Sequence, residues 1–319
     1  MAAGHGVTNA ALVSIAIPTF NRAQSLARAL RSASEQTYGA LEIVVADNAS
    51  TDGTPAVCAA HARADDRVRV IRRPQNIGAI ANFNGVVEAC RGEFVLLLAD
   101  DDWLAPDYVE RCVRALRAQP QLALACGRAL YFRGDEYVYA GREMHVLDAE
   151  PARRVRRFFY AVRENAALYG VMRAQVARSV FPLANCIGAD WLLMGRLAAL
   201  GGIETVATTS LSRSLGGASA GMHVIAASAG VRRSLHGHAH LVVGWNVVRE
   251  IGWSSPAYAR FRRAHRLALA LSCAFPLIGH WLFYRYGLVL AHPLTQRIKP
   301  VRRVRRLLAT LVPRRRSTP

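Results

Sequence analysis

Three consecutive carboxylates, Asp100, Asp101 and Asp102, directly follow an apolar run of the chain. At neutral pH their charges repel one another, and a hard divalent cation with oxygen ligands offsets that cost most simply. The cluster therefore predicts a site for Mg²⁺ or Mn²⁺. An isolated Asp more often caps a helix or solvates a loop, but a run of three after a strand favours the cation.

Two further polar clusters follow strand-like runs at residues 13–18 and 41–46. They read Thr19-Phe-Asn-Arg22 and Asp47-Asn-Ala-Ser-Thr-Asp52. In an open parallel sheet, ligands bind outside the carboxyl ends of the strands, so we expect these clusters to converge with the acidic triplet at one sheet edge. Both aspartates of the second cluster have a structural alternative, since an Asp at a loop start also forms Asx-turns.

Strand-like and helical patterns alternate along the first 126 residues, and Thr54 and Pro55 have the types expected at the N-cap and first position of a helix. This alternation predicts an α/β fold with a mostly parallel sheet and helices on both faces. We expect strands at 13–18, 41–46, 68–71, 94–98 and 122–126, and helices at 24–36, from 54, at 77–89 and at 107–118.

The pattern is less regular after residue 126, where we expect a strand at 131–139 and helices at 153–163 and 191–200. We divide the chain into a domain at residues 1–230, with halves at 11–126 and 127–230, and a basic, partly apolar helical extension at 231–319. No internal repeat is visible.

The positive charge is concentrated in that extension. From Arg232 to Pro319 there are seventeen Lys or Arg against one acid, Glu250, and 17 minus 1 places +16 of the formal +19 there. Such a charge attracts phosphate groups of lipids or nucleic acids. Nucleic acid is the weaker hypothesis, because the sequence has no helix-turn-helix, RRM-like or zinc-finger signature and the acidic cluster would repel that ligand.

The sequence resembles the inverting GT-A glycosyltransferases of family 2 from Val13 to about Pro106. The resemblance lies in four segments, which read VSIAIPTFNR from Val13, EIVVADNASTD from Glu42, NIG from Asn76 and GEFVLLLADDDWLAP from Gly92. It implies a GT-A, Rossmann-like fold and transfer of a sugar from a nucleotide diphosphate donor. Each segment alone is weak evidence, but their combination in this order is specific.

The resemblance also implies roles for individual residues. Asp47 falls where the family hydrogen-bonds the uracil or thymine of a UDP- or dTDP-sugar, and Pro18 and Thr19 line the same base pocket. The DXD motif falls on the acidic triplet, with Asp102 and Asp100 as metal ligands and an earlier carboxylate on the ribose. The full set of expected nucleotide-sugar-binding residues is Pro18, Thr19, Asn21, Arg22, Asp47, Asn76, Gly78, Asp100 and Asp101.

The family places its catalytic base on a later acid before a helix, and the segment IGADWLLMGRLAALG from Ile187 resembles that region. Asp190 is therefore the expected base for the acceptor hydroxyl, with a simple helix N-cap as the alternative. Many relatives carry an Arg-x-His pattern further on. This chain reads Ser212-Arg-Ser214 instead, and His223 is a weak substitute.

Two alternative protein classes remain. A catalytically inactive relative acting as an assembly partner is disfavoured by the presence of Asp47, Asp102 and Asp190. A nucleotidyltransferase would carry a Gly-rich basic loop after the first strand, which residues 19–23 do not resemble.

The location predicted for the protein is the inner face of the cell membrane. The first eleven residues lack a signal-peptide pattern, and the six cysteines form no CxxC pair, which fits a reducing compartment. The run at 267–283 lacks charged residues but is short for a span, and flanking Arg clusters favour an interfacial segment on anionic lipid. A saccharide or lipid-linked acceptor, as in surface-polysaccharide assembly, fits that location by analogy with the family.

Overall fold

A computed structural model describes residues 10–162, 164–216 and 238–286. The described part forms a ten-stranded sheet with helices packed against it. The strands are β1 (Val13–Thr19), β2 (Leu41–Asp47), β3 (Val68–Arg72), β4 (Phe94–Leu97), β5 (Trp103–Leu104), β6 (Leu122–Arg133), β7 (Glu136–Ala140), β8 (His145–Val146), β9 (Val171–Arg173) and β10 (Gly202–Ser214). The helices are α1 (Ala23–Ser34), α2 (Thr54–Ala64), α3 (Ala79–Glu88), α4 (Tyr108–Ala118), α5 (Pro151–Ala161), α6 (Ala174–Val180), α7 (Ala189–Leu200), α8 (Ala239–Arg249) and α9 (Arg263–Tyr286).

The first half of the sheet is parallel, in the order β3-β2-β1-β4. Every residue of β1 and β4 is buried, as expected for strands covered on both faces. Helix α1 buries one face through Leu26, Ala29, Leu30 and Ala33, at the three- and four-residue spacing of an amphipathic helix. The predicted alternation of strands and helices is therefore confirmed in this half.

The second half of the sheet is mixed. Strand β9 runs antiparallel to both β4 and β6, whereas β6 and β10 are parallel to each other. The stretch predicted as one strand at 131–139 is the hairpin of β6 and β7, which turns at Gly134 with φ +62°. The parallel arrangement thus holds throughout the first half and for β6 with β10, whereas β7 and β9 run antiparallel to their neighbours.

The C-terminal helices α8 and α9 belong to the same hydrophobic core as the sheet. Val243, Val247 and Leu269 are buried in that core, and Gly188 lies against Val243. The expected helical character of the extension is confirmed over residues 238–286, while the boundary near 230 and residues 287–319 lie outside the described part. None of the described helices has the length and apolar character that a membrane crossing requires.

Candidate active site

The polar clusters predicted from the sequence meet at the carboxyl ends of β1, β2 and β4. Thr19 and Asp47 are register partners at the ends of their strands, and both are buried. The backbone N–H of Leu98, just after β4, donates to the carbonyl of Ala16 in β1, so the acidic triplet follows immediately beside them. Parallel strands thus bring together side chains that are up to 83 residues apart, from Thr19 to Asp102.

Asn21 ties the loop after β1 to the loop after β2. Its backbone has φ +52°, and its side-chain oxygen accepts the N–H of Thr51 at 2.8 Å while its own N–H donates to Ser50 Oγ at 2.9 Å. Arg22 N–H donates to Thr54 Oγ1 at 2.9 Å. These contacts give Asn21 a role in shaping the loop, whereas the Arg22 side chain lines the adjoining cavity.

Asp52 takes the structural role of a turn residue, the alternative considered for it above. Its carboxylate accepts the N–H of Thr54 at 2.9 Å and of Ala23 at 3.2 Å. Hydrogen bonds from Thr54 are the main reason that the pKa of Asp52 is lowered. The residue therefore holds the loop and the start of α1 together.

Asn76 and Gly78 shape a third loop over the same edge. The side-chain oxygen of Asn76 accepts from Gly78 N at 2.8 Å and from Asn48 Nδ2 at 2.9 Å, and Asn48 in turn accepts the N–H of Ile77. Gly78 has φ +85° immediately before α3, a conformation that L side chains rarely adopt. Both residues fix the loop that borders Asp47 and its neighbours.

Asp47 is buried with one carboxylate oxygen free. Oδ1 accepts the N–H of Ser50 at 3.0 Å, which is the Asx-type contact expected of a loop-starting Asp. Oδ2 has no hydrogen-bond partner, and Arg72 Nε lies 3.6 Å from it. A buried acceptor without a donor is costly, so Oδ2 is suited to receive an N–H group from a ligand.

Two members of the acidic triplet, Asp100 and Asp102, are perturbed by burial, and Asp102 is almost fully buried. Burial raises the pKa of Asp100 to about 6. The charge of Asp101 adds to this rise, whereas Thr19 and Arg22 oppose it, each by less than the effect of burial. Burial likewise raises the pKa of Asp102 to about 6, against the opposing charge of Arg213. The cluster therefore carries negative charge that its surroundings only partly compensate.

Arg213, near the end of β10, holds Asp102 in place. Its Nε donates to Asp102 Oδ2 at 2.9 Å, and the N–H of Ser214 donates to Oδ1 at 3.1 Å, so both oxygens of Asp102 are engaged. The guanidinium lies 4.7 Å from the ring centroid of Tyr169. It also donates through Nη1 to Asn165 Oδ1 at 2.8 Å.

Asp190 lies in the first turn of α7 and is joined to this network through Asn165. The N-cap of α7 is Gly188, with φ +81°, so Asp190 is not the N-cap that was the alternative for it. Burial is the main cause that raises the pKa of Asp190, while hydrogen bonds from Trp191 N–H and the Asn165 side chain lower it. A carboxylate whose pKa lies above its ordinary range is suited to accept a proton near neutral pH.

A cavity of about 870 Å³ opens beside the triplet. The residues that line it include Arg22, Arg28, Asp101, Trp103 and Asp135. The cavity is therefore large enough for a small organic ligand next to the acidic cluster.

A preformed metal cage is absent from the described residues, in which no three His, Cys, Asp or Glu side chains converge on one point. The donor set still fits Mg²⁺ or Mn²⁺, because the carboxylate of Asp101 lines the cavity, Asp100 and Asp102 flank it in the chain, and Mg²⁺ commonly takes its other ligands from phosphates and water. At Asp102 a cation would share the carboxylate with Arg213 and with the N–H of Ser214, each of which makes one hydrogen bond to one of its oxygens.

Two residues of this arrangement were not predicted. Asn165 lies before a 3₁₀ turn at Ala166–Tyr169 and carries no sequence signal. Arg213 belongs to the Ser212-Arg-Ser214 segment, which was noted for its missing His rather than for its Arg. His223 lies outside the described residues.

The fold and the carboxylates at its strand ends define an α/β protein with a candidate ligand site at the carboxyl edge of its sheet. Residues 14–181, just over half of the chain, match the family model described as "Glycosyl transferase family 2". The chain therefore belongs to glycosyltransferase family 2, and its fold is the GT-A fold.

Individual relatives match over part of their length. The succinoglycan biosynthesis protein ExoO of Rhizobium meliloti is 31% identical over 205 residues, which cover 60% of this chain and 56% of the relative. The chondroitin synthase of Escherichia coli is 39% identical over 115 residues, covering 36% of this chain but only 16% of that protein. The chain thus spans at most just over half of these curated relatives.

Among solved structures, S. aureus TarS in complex with UDP-GlcNAc has a TM-score of 0.59 at 16% identity, covering 90% of this chain and 76% of the TarS chain. At that identity the likeness shows a shared fold alone.

Proposed function

We propose that the protein is an inverting glycosyltransferase that moves a sugar from a UDP- or dTDP-sugar to a hydroxyl group of a saccharide or lipid-linked acceptor. The observation that carries this proposal is the meeting of Asp47, the acidic triplet and the Arg213–Asn165–Asp190 network at one sheet edge. Family membership and the name of the succinoglycan relative support a role in cell-surface polysaccharide biosynthesis.

Donor recognition is assigned to the β2 side of the site. Oδ2 of Asp47, which accepts no hydrogen bond within the described residues, would accept the N3–H of uracil or thymine. Cytosine lacks this N–H group. Arg72, which lies beside that oxygen and is more than half exposed, would border the base. Pro18 and Thr19, which lie beside Ala46 and Asp47 at the end of β1, would complete the base pocket.

The diphosphate is assigned to the triplet, with Asp100 and Asp102 as the residues that would hold Mg²⁺ or Mn²⁺. When bound, such a cation neutralises the charge that develops on the departing nucleoside diphosphate. Arg22 lines the same cavity as Asp101 and would add positive charge near the phosphates.

Asp190 is assigned as the base. Its carboxylate takes the proton of the acceptor hydroxyl as that oxygen forms a bond to the anomeric carbon, and the bond from that carbon to the diphosphate oxygen breaks on the opposite face. A single displacement of this kind inverts the anomeric configuration. Asn165 holds the carboxylate and favours its ionised form.

The acceptor is proposed to be presented at an anionic membrane, at its cytoplasmic face. Residues 238–286 contain one acid, Glu250, which is buried and paired with Arg196, so the exposed charges of this segment, on Arg249, Arg260, Arg262 and Arg263, are all positive. All six cysteines are free thiols, in keeping with a reducing compartment.

Apolar surface accompanies that charge. Helix α9 buries one face, including Leu269 and Cys273, yet also exposes Leu271 at 62%. Trp245 and Trp253, in α8 and in the turn after it, are 61% and 60% exposed. Exposed Trp and Leu beside Arg are typical of a segment that lies in a membrane interface.

A radiometric transfer assay tests the proposal with UDP-glucose, UDP-galactose, UDP-GlcNAc, dTDP-rhamnose and GDP-mannose, each with Mn²⁺ and a membrane extract as acceptor. We expect transfer from a uridine or thymidine donor, lost in Asp102→Ala together with donor affinity. Asp190→Asn should keep donor affinity and lose about 10²- to 10⁴-fold in rate. Normal turnover by Asp190→Asn would refute the base assignment.

One observation favours a second candidate, a catalytically inactive binding relative. Asp102 is almost fully buried and its charge is already paired with Arg213, so this carboxylate has less need of a cation. Absence of transfer from all five donors, with nucleotide binding retained, would favour this candidate.

A further inference from the structure

A row of three aromatic side chains leads away from the acidic cluster. Trp103 directly follows Asp102, its ring centroid lies 5.0 Å from that of Phe132, and Phe132 lies 5.9 Å from Tyr137. Tyr137 is 53% exposed at the outer end of the row. Core packing does not account for an aromatic ring that remains more than half in solvent.

A β-bulge places Tyr137 on this row. Strand β6 pairs Tyr131 with Tyr139 and Phe132 with Tyr137, which leaves Val138 as the extra residue of β7. Because neighbouring residues of a strand point to opposite faces, Tyr137 joins Phe132 on the Trp103 side and Tyr139 stacks on Tyr131 on the other side, with centroids 4.5 Å apart.

Arg28 of α1 covers Trp103 and reaches the hairpin tip. Its guanidinium carbon lies 3.3 Å from the Trp103 ring centroid, and its Nη1 donates to Asp135 at 3.0 Å. The Arg28 and Asp135 side chains are 45% and 94% exposed, so their ion pair is weak. A ligand can therefore replace Asp135 as the partner of this guanidinium at little cost.

The inner end of the aromatic row, at Trp103, lies in the same cavity as the acidic cluster. Trp103, Arg28 and Asp135 line the same 870 Å³ space as Asp101. In the sheet, β2 with Asp47 lies on one side of β4, and β6 with the hairpin lies on the other. A donor that spans from Asp47 to the triplet leaves the hairpin side of the cavity open.

We propose that this hairpin side binds the saccharide part of the acceptor, with a sugar ring against Tyr137 and the Trp103 edge and with Arg28 donating to its hydroxyl or carboxylate groups. The apolar C–H face of a pyranose packs on aromatic rings, and the planar guanidinium offers several donors at fixed angles. A lipid alcohol without a sugar would use neither feature. This inference rests on the proposed transferase function and names the acceptor class of that site.

A glycan array tests it with the labelled full chain, on immobilised oligosaccharides that contain glucose, galactose, mannose, rhamnose, N-acetylglucosamine or glucuronic acid. The variants are Tyr137→Ala and Arg28→Ala. Tyr139→Ala is the matched control, since it removes the same ring from the opposite face of the same hairpin. Calorimetry with UDP and Mn²⁺ reports separately on the donor site of each protein.

We expect the wild type to bind a subset of the saccharides, and each of the two variants to bind them about fivefold to tenfold more weakly, as loss of one ring or guanidinium contact implies. The saccharide affinity of Tyr139→Ala should stay within about twofold of the wild type, and so should the UDP affinity of every variant. Unchanged saccharide binding by Tyr137→Ala overturns the inference, and so does a wild type that binds UDP but none of the saccharides. Tyr137-dependent saccharide binding without UDP binding would uphold this subsite and refute the proposed donor instead.

Discussion

Arg213 and Asp102 form a buried ion pair, with Arg213 Nε 2.9 Å from Asp102 Oδ2 and side-chain exposures of 14% and 1%. The same guanidinium holds Asn165, which contacts Asp190. The Arg213 guanidinium therefore links Asp102, which is assigned to the diphosphate, with Asp190, which is assigned to the acceptor. The two acids come from different elements of the fold.

Arg213→Ala should destabilise the protein strongly. Removing one partner of a buried pair leaves an uncompensated charge on Asp102, which costs about 3–5 kcal/mol. Guanidinium denaturation at pH 7 with EDTA measures the loss. Arg28→Ala, which breaks an exposed pair, should lose no more than about 1 kcal/mol. Equal losses in the two variants would contradict the importance given to the buried pair.

Asp47→Asn should change the preference for the base. The substitution keeps an oxygen for Ser50 N–H but removes the negative charge and places an amide donor beside the base, so UDP affinity should fall about 10- to 100-fold, the range for a hydrogen bond to a charged group. The affinity for CDP should fall less, because N3 of cytosine can accept a hydrogen bond from the new amide. Calorimetry with both nucleotides measures this, with Asp66→Asn in an exposed turn as the control. Parallel losses for UDP and CDP would argue against N3–H recognition.

The pH dependence of turnover should report the environment of Asp190. Since a base must be ionised and burial raises the pKa of Asp190, the rate should fall with decreasing pH at a midpoint above the ordinary range of an Asp. Asn165→Ala removes a hydrogen bond that favours the ionised form, so this midpoint should move to higher pH. Profiles of kcat/KM from pH 4.5 to 9 test it, and an unmoved midpoint would exclude Asn165 as a positioning residue.

Membrane binding should depend on the exposed apolar residues of α8 and α9. Trp245→Ala combined with Leu271→Ser should reduce binding to vesicles of phosphatidylcholine and phosphatidylglycerol by about tenfold or more, because both apolar groups leave the interface. Flotation at low and high salt measures the effect, and Tyr137→Ala is the control for an exposed aromatic elsewhere. Vesicle binding that is absent in the wild type, or unchanged in the double variant, would contradict the proposal.

The parallel half of the fold could be read from the sequence because its signals are local. Buried strands such as β1 and β4 appear as continuous apolar runs, and Pro55 marks the start of α2. Polar residues directly after those strands were expected at one sheet edge, and Thr19, Asp47 and the acidic triplet do meet there. In this half, a helix connects each strand to the next parallel strand, so the order of elements along the chain indicates the sheet.

The second half could not be read in the same way. Its strands pair across long separations, as in β6 with β10, and a hairpin with a bulge at Val138 does not produce a regular alternation. Asn165 and Asp190 belong to different elements, so no local pattern of the sequence predicts the hydrogen bond between them. Arg213 lies 111 residues from Asp102, so their contact depends on the complete sheet.

We propose that this sheet edge binds a pyrimidine nucleotide diphosphate together with a divalent cation. The most direct measurement is a thermal-shift panel of the full chain with UDP, dTDP, GDP, CDP and ADP, each with Mn²⁺, Mg²⁺ or EDTA. We predict stabilisation by UDP or dTDP that requires the cation and is lost in Asp47→Asn. Equal melting temperatures with every nucleotide, or a shift by UDP that persists in EDTA and in Asp47→Asn, would contradict the account.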